Sequence, residues 1–323
     1  MNTSNISNRN QYVLITGATS GFGYEFAKLF AKEGYNLILV ARNQTRLQQV
    51  TDELKQQYDV EVTPLPKDLF DKNAAGEIYN KTKEMGITVN ILINDAGQGE
   101  WGKFTETDLQ RQLDIIQLNV TSLVELTHHF AKDMVARDEG KILQLGSEVS
   151  KSPTPLMAVY AATKSFVLSF SEALINELRN TNVTITVLMP GASDTDFFHK
   201  AGAGNTVVYK EKDLSTPEDV VLDGYEALMK GESRIISGGK TKMHVMMSNV
   251  LPDAAGAANL RKQMEESDQN PREGRKQSGH EASRIERENI NEQTKKNSGD
   301  YEKKAENGKK ESMSASNDTP RLG

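Results

Sequence analysis

Tyr160 and Lys164 stand four residues apart in Val159-Tyr160-Ala161-Ala162-Thr163-Lys164, and Ser147 lies thirteen residues upstream of the tyrosine. If Val159–Arg179 is a helix, positions i and i+4 project from one face, so phenol and ammonium can share a site. A phenol is a poor acid near neutrality, with a pKa of roughly 10. A neighbouring cation stabilises the phenolate and makes proton exchange at that oxygen easier. Ser147 can hold a carbonyl or hydroxyl oxygen beside the phenol. The same spacing also fits a Tyr and a Lys on the solvent face of an amphipathic helix, so the surrounding elements must decide.

Tyr12–Thr16 is a short apolar, partly β-branched run that reads as a buried strand. Thr16-Gly17-Ala18-Thr19-Ser20-Gly21-Phe22-Gly23 follows, and Tyr24–Lys32 continues at helical spacing. Strand, glycine-rich turn and helix start make a phosphate cradle, because glycines let the backbone approach a pyrophosphate and the helix terminus offers N–H groups. A tight turn without a ligand is the alternative. The strand Asn36–Val40 leads to Ala41-Arg42-Asn43, with no acid for a ribose 2′-hydroxyl. Arg42 can pair with a 2′-phosphate, which favours NADP(H) over NAD(H). It can also stand as a solvated cation at a strand end.

Thr45–Tyr58 reads as a helix and Val60–Leu65 as a strand. The loop after it begins Asp68-Leu69, where Asp68 either meets an adenine edge or caps a helix starting near Asp71. Asn90–Ile93 is a further strand, ending in Asn94-Asp95-Ala96-Gly97. Asp108–Arg137 is helical in pattern, with Asn119 inside it, where an Asn can redirect a backbone hydrogen bond. Lys141–Leu145 is a strand running into Gly146-Ser147, and Thr184–Met189 is another, closed by Pro190-Gly191. Pro217–Lys230 is a helix and Arg234–Ile236 a last short strand. This alternation predicts an α/β fold: one Rossmann-type, doubly wound domain with a seven-stranded parallel sheet flanked by helices. Right-handed crossovers bring Gly17, Asn94, Ser147 and Pro190 to one sheet edge.

With those residues in hand, the chain resembles the short-chain dehydrogenase/reductase family over about residues 11–240. The resemblance rests on Thr16-Gly-x-x-x-Gly-x-Gly23, Asn94-x-Ala96-Gly97, Asn119, Ser147, Tyr160-x-x-x-Lys164 and Pro190-Gly191, in order and spacing. It implies that Tyr160 is the acid/base and that Lys164 binds the nicotinamide ribose and lowers the tyrosine's pKa. It implies that Ser147 orients the substrate oxygen and Asn119 supports a water-linked relay to Lys164. Gly17, Gly21 and Gly23, with Thr19, Ser20 and Phe22 between and beside them, would carry the pyrophosphate. Asp68, Leu69 and Asn94 would flank the adenosine half, with Ala96, Gly97, Pro190 and Gly191 along the rest of the dinucleotide. Asp95 departs from the family's Asn-Asn-Ala-Gly and loses an NH₂ donor. The family's usual two-fold packing implies a homodimer or homotetramer, consistent with apolar faces broader than one sheet contact requires on Asp108–Arg137 and Val159–Arg179.

The expected function is an NADP(H)-dependent oxidoreductase moving a hydride between nicotinamide and an apolar carbonyl or alcohol. The alternative is a non-catalytic NADP(H)-binding sensor or scaffold on the same fold. Gln98–Phe104, with Trp101, is expected along one side of the substrate pocket. Ala192–Ser215, with Phe197, Phe198 and His199, is expected as a mobile lid whose aromatics either line the pocket or pack the lid. His128-His129 lack a third ligand, so no metal site is read. The 323 residues carry a net charge of −6 and no cysteine, which argues against nucleic acid and excludes thiolate chemistry and disulfides. Met1–Asn10 is expected to be a flexible, polar N-terminus, no run suits a membrane span, and the expected location is cytoplasmic. Residues 11–260 form the expected domain. Residues 261–323 balance basic against acidic residues with few large apolar ones, and are expected to be a disordered tail. Before it, Met243–Leu251 is expected to pack on the domain or on a second subunit.

Overall fold

The computed structural model describes residues 8–248 and 253–270. Seven strands form one parallel sheet: β1 (Tyr12–Thr16), β2 (Asn36–Ala41), β3 (Val62–Pro66), β4 (Val89–Asn94), β5 (Gly140–Leu145), β6 (Val183–Met189) and β7 (Arg234–Ile236). Their spatial order is β3-β2-β1-β4-β5-β6-β7, so the winding reverses between β1 and β4. A crevice opens beyond the C-terminal ends of strands at such a reversal.

Covering the sheet on both faces explains why its central strands are almost continuously apolar. Val13, Ile15, Leu37 and Leu39 point to one core, with Phe26 and Phe30 of the helix Gly21–Lys32 and Val220 and Leu228 of the helix Pro217–Lys230. Leu14, Ile38, Val40 and Leu92 alternate to the other, against Ile78 of Ala74–Glu84 and Leu126 and Phe130 of Ser122–Ala136. The period-two alternation of each strand thus feeds two separate helical layers.

Three expectations need revision. The run Asp108–Arg137 is not one regular helix: Leu109–Ile116 and Ser122–Ala136 flank a π-helical turn, Gln117–Thr121, that contains Asn119. An amide side chain drawn out of the helix toward other partners accounts for the widened turn. The N-terminal segment is placed from Asn8, whose side-chain amide donates to Glu33 O. Most of all, the described structure continues past residue 260, where the disordered tail was expected to begin. The helix Asp253–Gln263 runs on to buried Met264 and Ser267. Val207 N donates to Glu265 O and Ser267 N to Asn205 O, at 3.0 and 2.8 Å. Residues 271–323 of the expected tail lie outside the described residues. Of Met243–Leu251, the helix Gly239–Ser248 buries Val245 and exposes Met243 and Met246, while residues 249–251 lie outside the described residues.

The end of β4 holds an unusual buried charge. Thr16 Oγ1 accepts from Asp95 N and Ala96 N, stitching this strand end to β1. The Asp95 side chain is thereby lodged beneath the glycine turn, where Gly23 N–H donates to it. Its Oδ1 is buried without a hydrogen-bond partner. Burial pushes the carboxyl up to about 7 from 3.8, although Lys164, the Gly23 N–H and Lys200 pull the other way. Between those two values the folded protein keeps a proton that the unfolded chain releases. Stability therefore falls as pH rises from about 4 to about 7, and this contribution is flat above that. Asp95→Asn removes this titration and with it a partner of Lys164, so we expect the variant to gain on the parent as pH rises from 4.5 to 8. Urea unfolding at both values checks this. A gain that does not change with pH would mean that the carboxyl is already ionised in the fold at pH 4.5.

Candidate active site

Four of the residues singled out in the sequence converge at the C-terminal ends of β4 and β5. Ser147 follows β5 and caps the short turn Glu148–Lys151, its Oγ accepting from Val149 N while Ser150 Oγ accepts from Ser147 N. This reciprocal capping fixes the serine oxygen on the backbone rather than leaving it a free rotor. The helix Ala158–Glu177 presents Tyr160 and Lys164 one turn apart. Tyr160 shares a side-chain hydrogen bond with Ser147. Lys164 is 4 % exposed, and its Nζ donates to Leu145 O at 2.7 Å.

Asn119 ties the parts together. Its Oδ1 accepts from Gln98 N at 3.0 Å, and its Nδ2 donates to Gln98 O at 2.9 Å and Thr163 Oγ1 at 3.0 Å. The π-turn is thus bound both to the loop after β4 and to the tyrosine's helix. A Cβ at Gly97 would lie 3.3 Å from Asn119 Oδ1 and 3.4 Å from Lys164 Nζ, so the glycine lies between the two polar groups.

Electrostatics depart from one expectation. Burial pushes the Tyr160 phenol up, the bond to Ser147 lowers it, and Glu148 adds a smaller upward push. Lys164 sits 5.8 Å from the ring centroid and is not among the causes acting on the phenol. Burial lowers Lys164 itself to about 8, against a favourable interaction with Asp95. The ammonium is therefore poised to lose or regain its proton near neutrality, in a site that excludes most water.

The glycine turn fits a dinucleotide. Gly17 and Gly21 have φ of +72° and +56°, which side-chain-bearing residues adopt with strain. A Cβ at Gly23 would fall 2.5 Å from Gly17 O. The turn therefore stays free of side-chain bulk where the helix Gly21–Lys32 presents its opening N–H groups at the winding reversal. Thr19 and Ser20 are half-buried in this turn, and Phe22 packs on the first core. At the end of β2, the Arg42 guanidinium lies 5.4 Å from the Phe70 ring. Asp68 is exposed and accepts from Phe70 N rather than capping the next helix, whose N-cap is Asn73.

Some predicted residues are otherwise engaged. Leu69 is buried, and its carbonyl accepts from Ser122 Oγ. The Asn94 amide donates to Thr127 and Gln144 inside the sheet, so its side chain is a structural tie. Ala96 N is held by Thr16, and Pro190 O accepts from Glu148 N, joining the ends of β5 and β6. At Gly191 a Cβ would meet Thr241 Oγ1 at 2.4 Å.

The segment 192–215 leaves and returns at one point, where Asp194 N donates to Ser215 O and Ser215 N to Ala192 O. Within it Phe197 packs on the Tyr160 ring, at 4.9 Å between centroids. Phe198 is buried against Tyr209, and His199 Nε2 bonds the Tyr209 hydroxyl. The Trp101 indole donates to Met264 O. One aromatic thus reaches Tyr160, and the other three brace the wall. His129 stacks on Tyr79, and no group of three metal-binding side chains occurs among the described residues.

Gly99, within the stretch expected to line the pocket, packs close: a Cβ there would lie 2.6 Å from Met157 Cε and 3.3 Å from Tyr160 Cγ. Sequence reading gave no role to Lys200 and Met264, whose contacts span 180 and 163 residues.

The short chain dehydrogenase family matches residues 11–206. A 7beta-hydroxysteroid dehydrogenase of Mediterraneibacter gnavus is 29 % identical over 236 residues, 73 % of this chain and 89 % of that protein. The very-long-chain 3-oxoacyl-CoA reductase of Homo sapiens is 32 % identical over 186 residues, covering 56 % of this chain and 58 % of its own length. Among solved structures, a short-chain dehydrogenase from Sphingobium yanoikuyae in complex with NADPH superposes with a TM-score of 0.67 at 28 % identity, over 80 % of this chain and 99 % of that one. The chain belongs to the short-chain dehydrogenase family: it is an oxidoreductase that binds a nicotinamide dinucleotide and acts on CH–OH or carbonyl groups.

Proposed function

We propose that this enzyme is an NADP(H)-dependent reductase or dehydrogenase of bulky apolar ketones and secondary alcohols. The observation that carries the reading is the cluster of half-buried Tyr160 with buried Ser147, Lys164 and Asn119, with Phe197 and Met157 beside the phenol. When bound, the dinucleotide supplies or accepts the hydride at its nicotinamide ring. The chain's part is to hold one oxygen and move one proton. In reduction the Tyr160 hydroxyl gives its proton to the substrate oxygen, which Ser147 holds from the other side, and in oxidation it takes that proton back. Two short hydrogen bonds to one oxygen fix the carbonyl carbon in place for transfer. Lys164 holds the nicotinamide ribose and returns the proton to the phenol, while Asn119 keeps helix and loop in register. The apolar wall excludes water and matches the chemistry of the steroid and long-chain acyl relatives.

NADP(H) rather than NAD(H) follows from Arg42 at the end of β2, with Ala41 where an acid would otherwise meet the ribose. We also propose a two-fold assembly through the helices bearing Asn119 and Tyr160. Leu109, Leu113 and Phe166 are 64 %, 48 % and 40 % exposed, more apolar surface than a free helix face usually shows. Self-complementary packing would cover it.

Tyr160→Phe should bind NADPH as the parent does and lose at least a hundredfold in kcat toward an apolar ketone. Retained turnover, followed by NADPH absorbance, would remove the phenol from the chemistry. Ala41→Asp combined with Arg42→Ala should reverse the ratio of kcat/KM for NADPH and NADH. An unaltered ratio would separate Arg42 from the cofactor. Light scattering at micromolar concentration should give twice or four times the chain mass of 35.8 kDa. A fully active monomer would refute the assembly.

A further inference from the structure

The helix Phe197–Lys200 is only four residues long, yet it touches both halves of the active site. Its first residue lies on the Tyr160 ring. Its last, Lys200, donates from Nζ to Ser20 Oγ at 3.1 Å, bridging to the glycine turn across 180 residues of sequence. Ser20 is the N-cap of the helix Gly21–Lys32, and its side chain makes no capping bond to that helix. The approach is a shared surface rather than one reaching side chain, because a Cβ at Gly21 would lie 3.6 Å from Thr195.

Charge gives this contact its meaning. The turn Gly17-Ala18-Thr19-Ser20-Gly21-Phe22-Gly23 contains no cationic side chain. A diphosphate carries about two negative charges at neutral pH, which backbone N–H groups offset only in part. Charged groups at the turn include the Asp95 carboxyl, which accepts from Gly23 N–H, and Lys200, with Asp196 Oδ2 4.0 Å from the ammonium. The Lys200 side chain is three-quarters buried, so its charge is held at the turn rather than dispersed in solvent. Moving from a serine hydroxyl to a phosphate oxygen on the same turn takes a small rotation of a flexible stem, and it replaces a neutral acceptor by an anionic one.

We infer that Lys200 is a further cofactor-binding residue, which grips the dinucleotide's diphosphate from the substrate side and so fastens the Phe197 wall over the catalytic tyrosine when cofactor is bound. The inference rests on the family's dinucleotide binding and not on the preference for NADP(H). It makes binding ordered: cofactor completes the surface that an apolar substrate then meets.

The test uses the full chain and reads binding directly. Lys200→Met keeps the aliphatic stem and removes the charge. Titration with NADPH and separately with NADH, followed by quenching of the single Trp101, should show both dissociation constants rising by about tenfold. Lys200→Arg should restore most of the affinity. Saturating NADPH should shield the segment 192–215 from limited proteolysis in the parent and in Lys200→Arg but not in Lys200→Met. Weakening of NADPH alone would move the lysine to the 2′-phosphate and overturn the inference, as would unchanged constants for both cofactors. If Lys200→Met does not fold, Lys200→Gln carries the same comparison. An Arg42→Ala control should weaken NADPH only, so that failure of the NADP(H) reading and failure of this one give different patterns.

Discussion

A buried ammonium organises this active site. Lys164 is almost sealed from water, and its ammonium donates to the carbonyl that ends β5. A charge in such a place is costly unless something compensates it. Here the compensation is spread over elements that the fold must therefore hold together: the Leu145 carbonyl and the Asp95 carboxyl at the end of β4. The helix Ala158–Glu177 cannot slide along β5 without giving up that bond, and β4 cannot shift without moving the carboxyl. The position of Tyr160 one helical turn away is a consequence.

Asn119 does for geometry what Lys164 does for charge. One side chain fills three hydrogen bonds, two to the loop after β4 and one to the tyrosine's helix. It can do so because the helix widens to a π-turn at that point. The local irregularity is small in energy and large in effect, since it brings three separate segments into one register.

Much of this was legible in the sequence, for physical reasons. The strands β1, β2, β4, β5 and β6 announce themselves because burial on both faces demands runs rich in apolar and β-branched residues, and the glycine turn because its backbone needs positive φ at Gly17 and Gly21. Tyr160, Lys164 and Ser147 follow from a helical period and a strand end. What stayed hidden depends on tertiary contact. A mid-helix Asn hints at disturbance but not at a π-turn. Asn94 looks like a loop residue facing a ligand, and only the neighbouring strand reveals Gln144 as its partner. The directions of the pKa shifts at Tyr160 and Asp95 depend on burial, which no spacing encodes. Lys200 is one lysine among many until the excursion folds back on the turn. Residues 261–270 read as polar tail because their two anchors, Met264 and Ser267, are isolated in a charged stretch.

Those two anchors have a consequence for the order in which the protein comes into being. Among the described residues, 12–236 contain every strand of the sheet, the glycine turn and all four clustered polar groups, whereas the wall behind Trp101 and Tyr209 closes only with residues 264–267. A chain made from its N-terminus can thus assemble its sheet and nucleotide cradle first. The wall beside Tyr160 is finished last, by a segment whose bond to Trp101 spans 163 residues and is correspondingly slow to find.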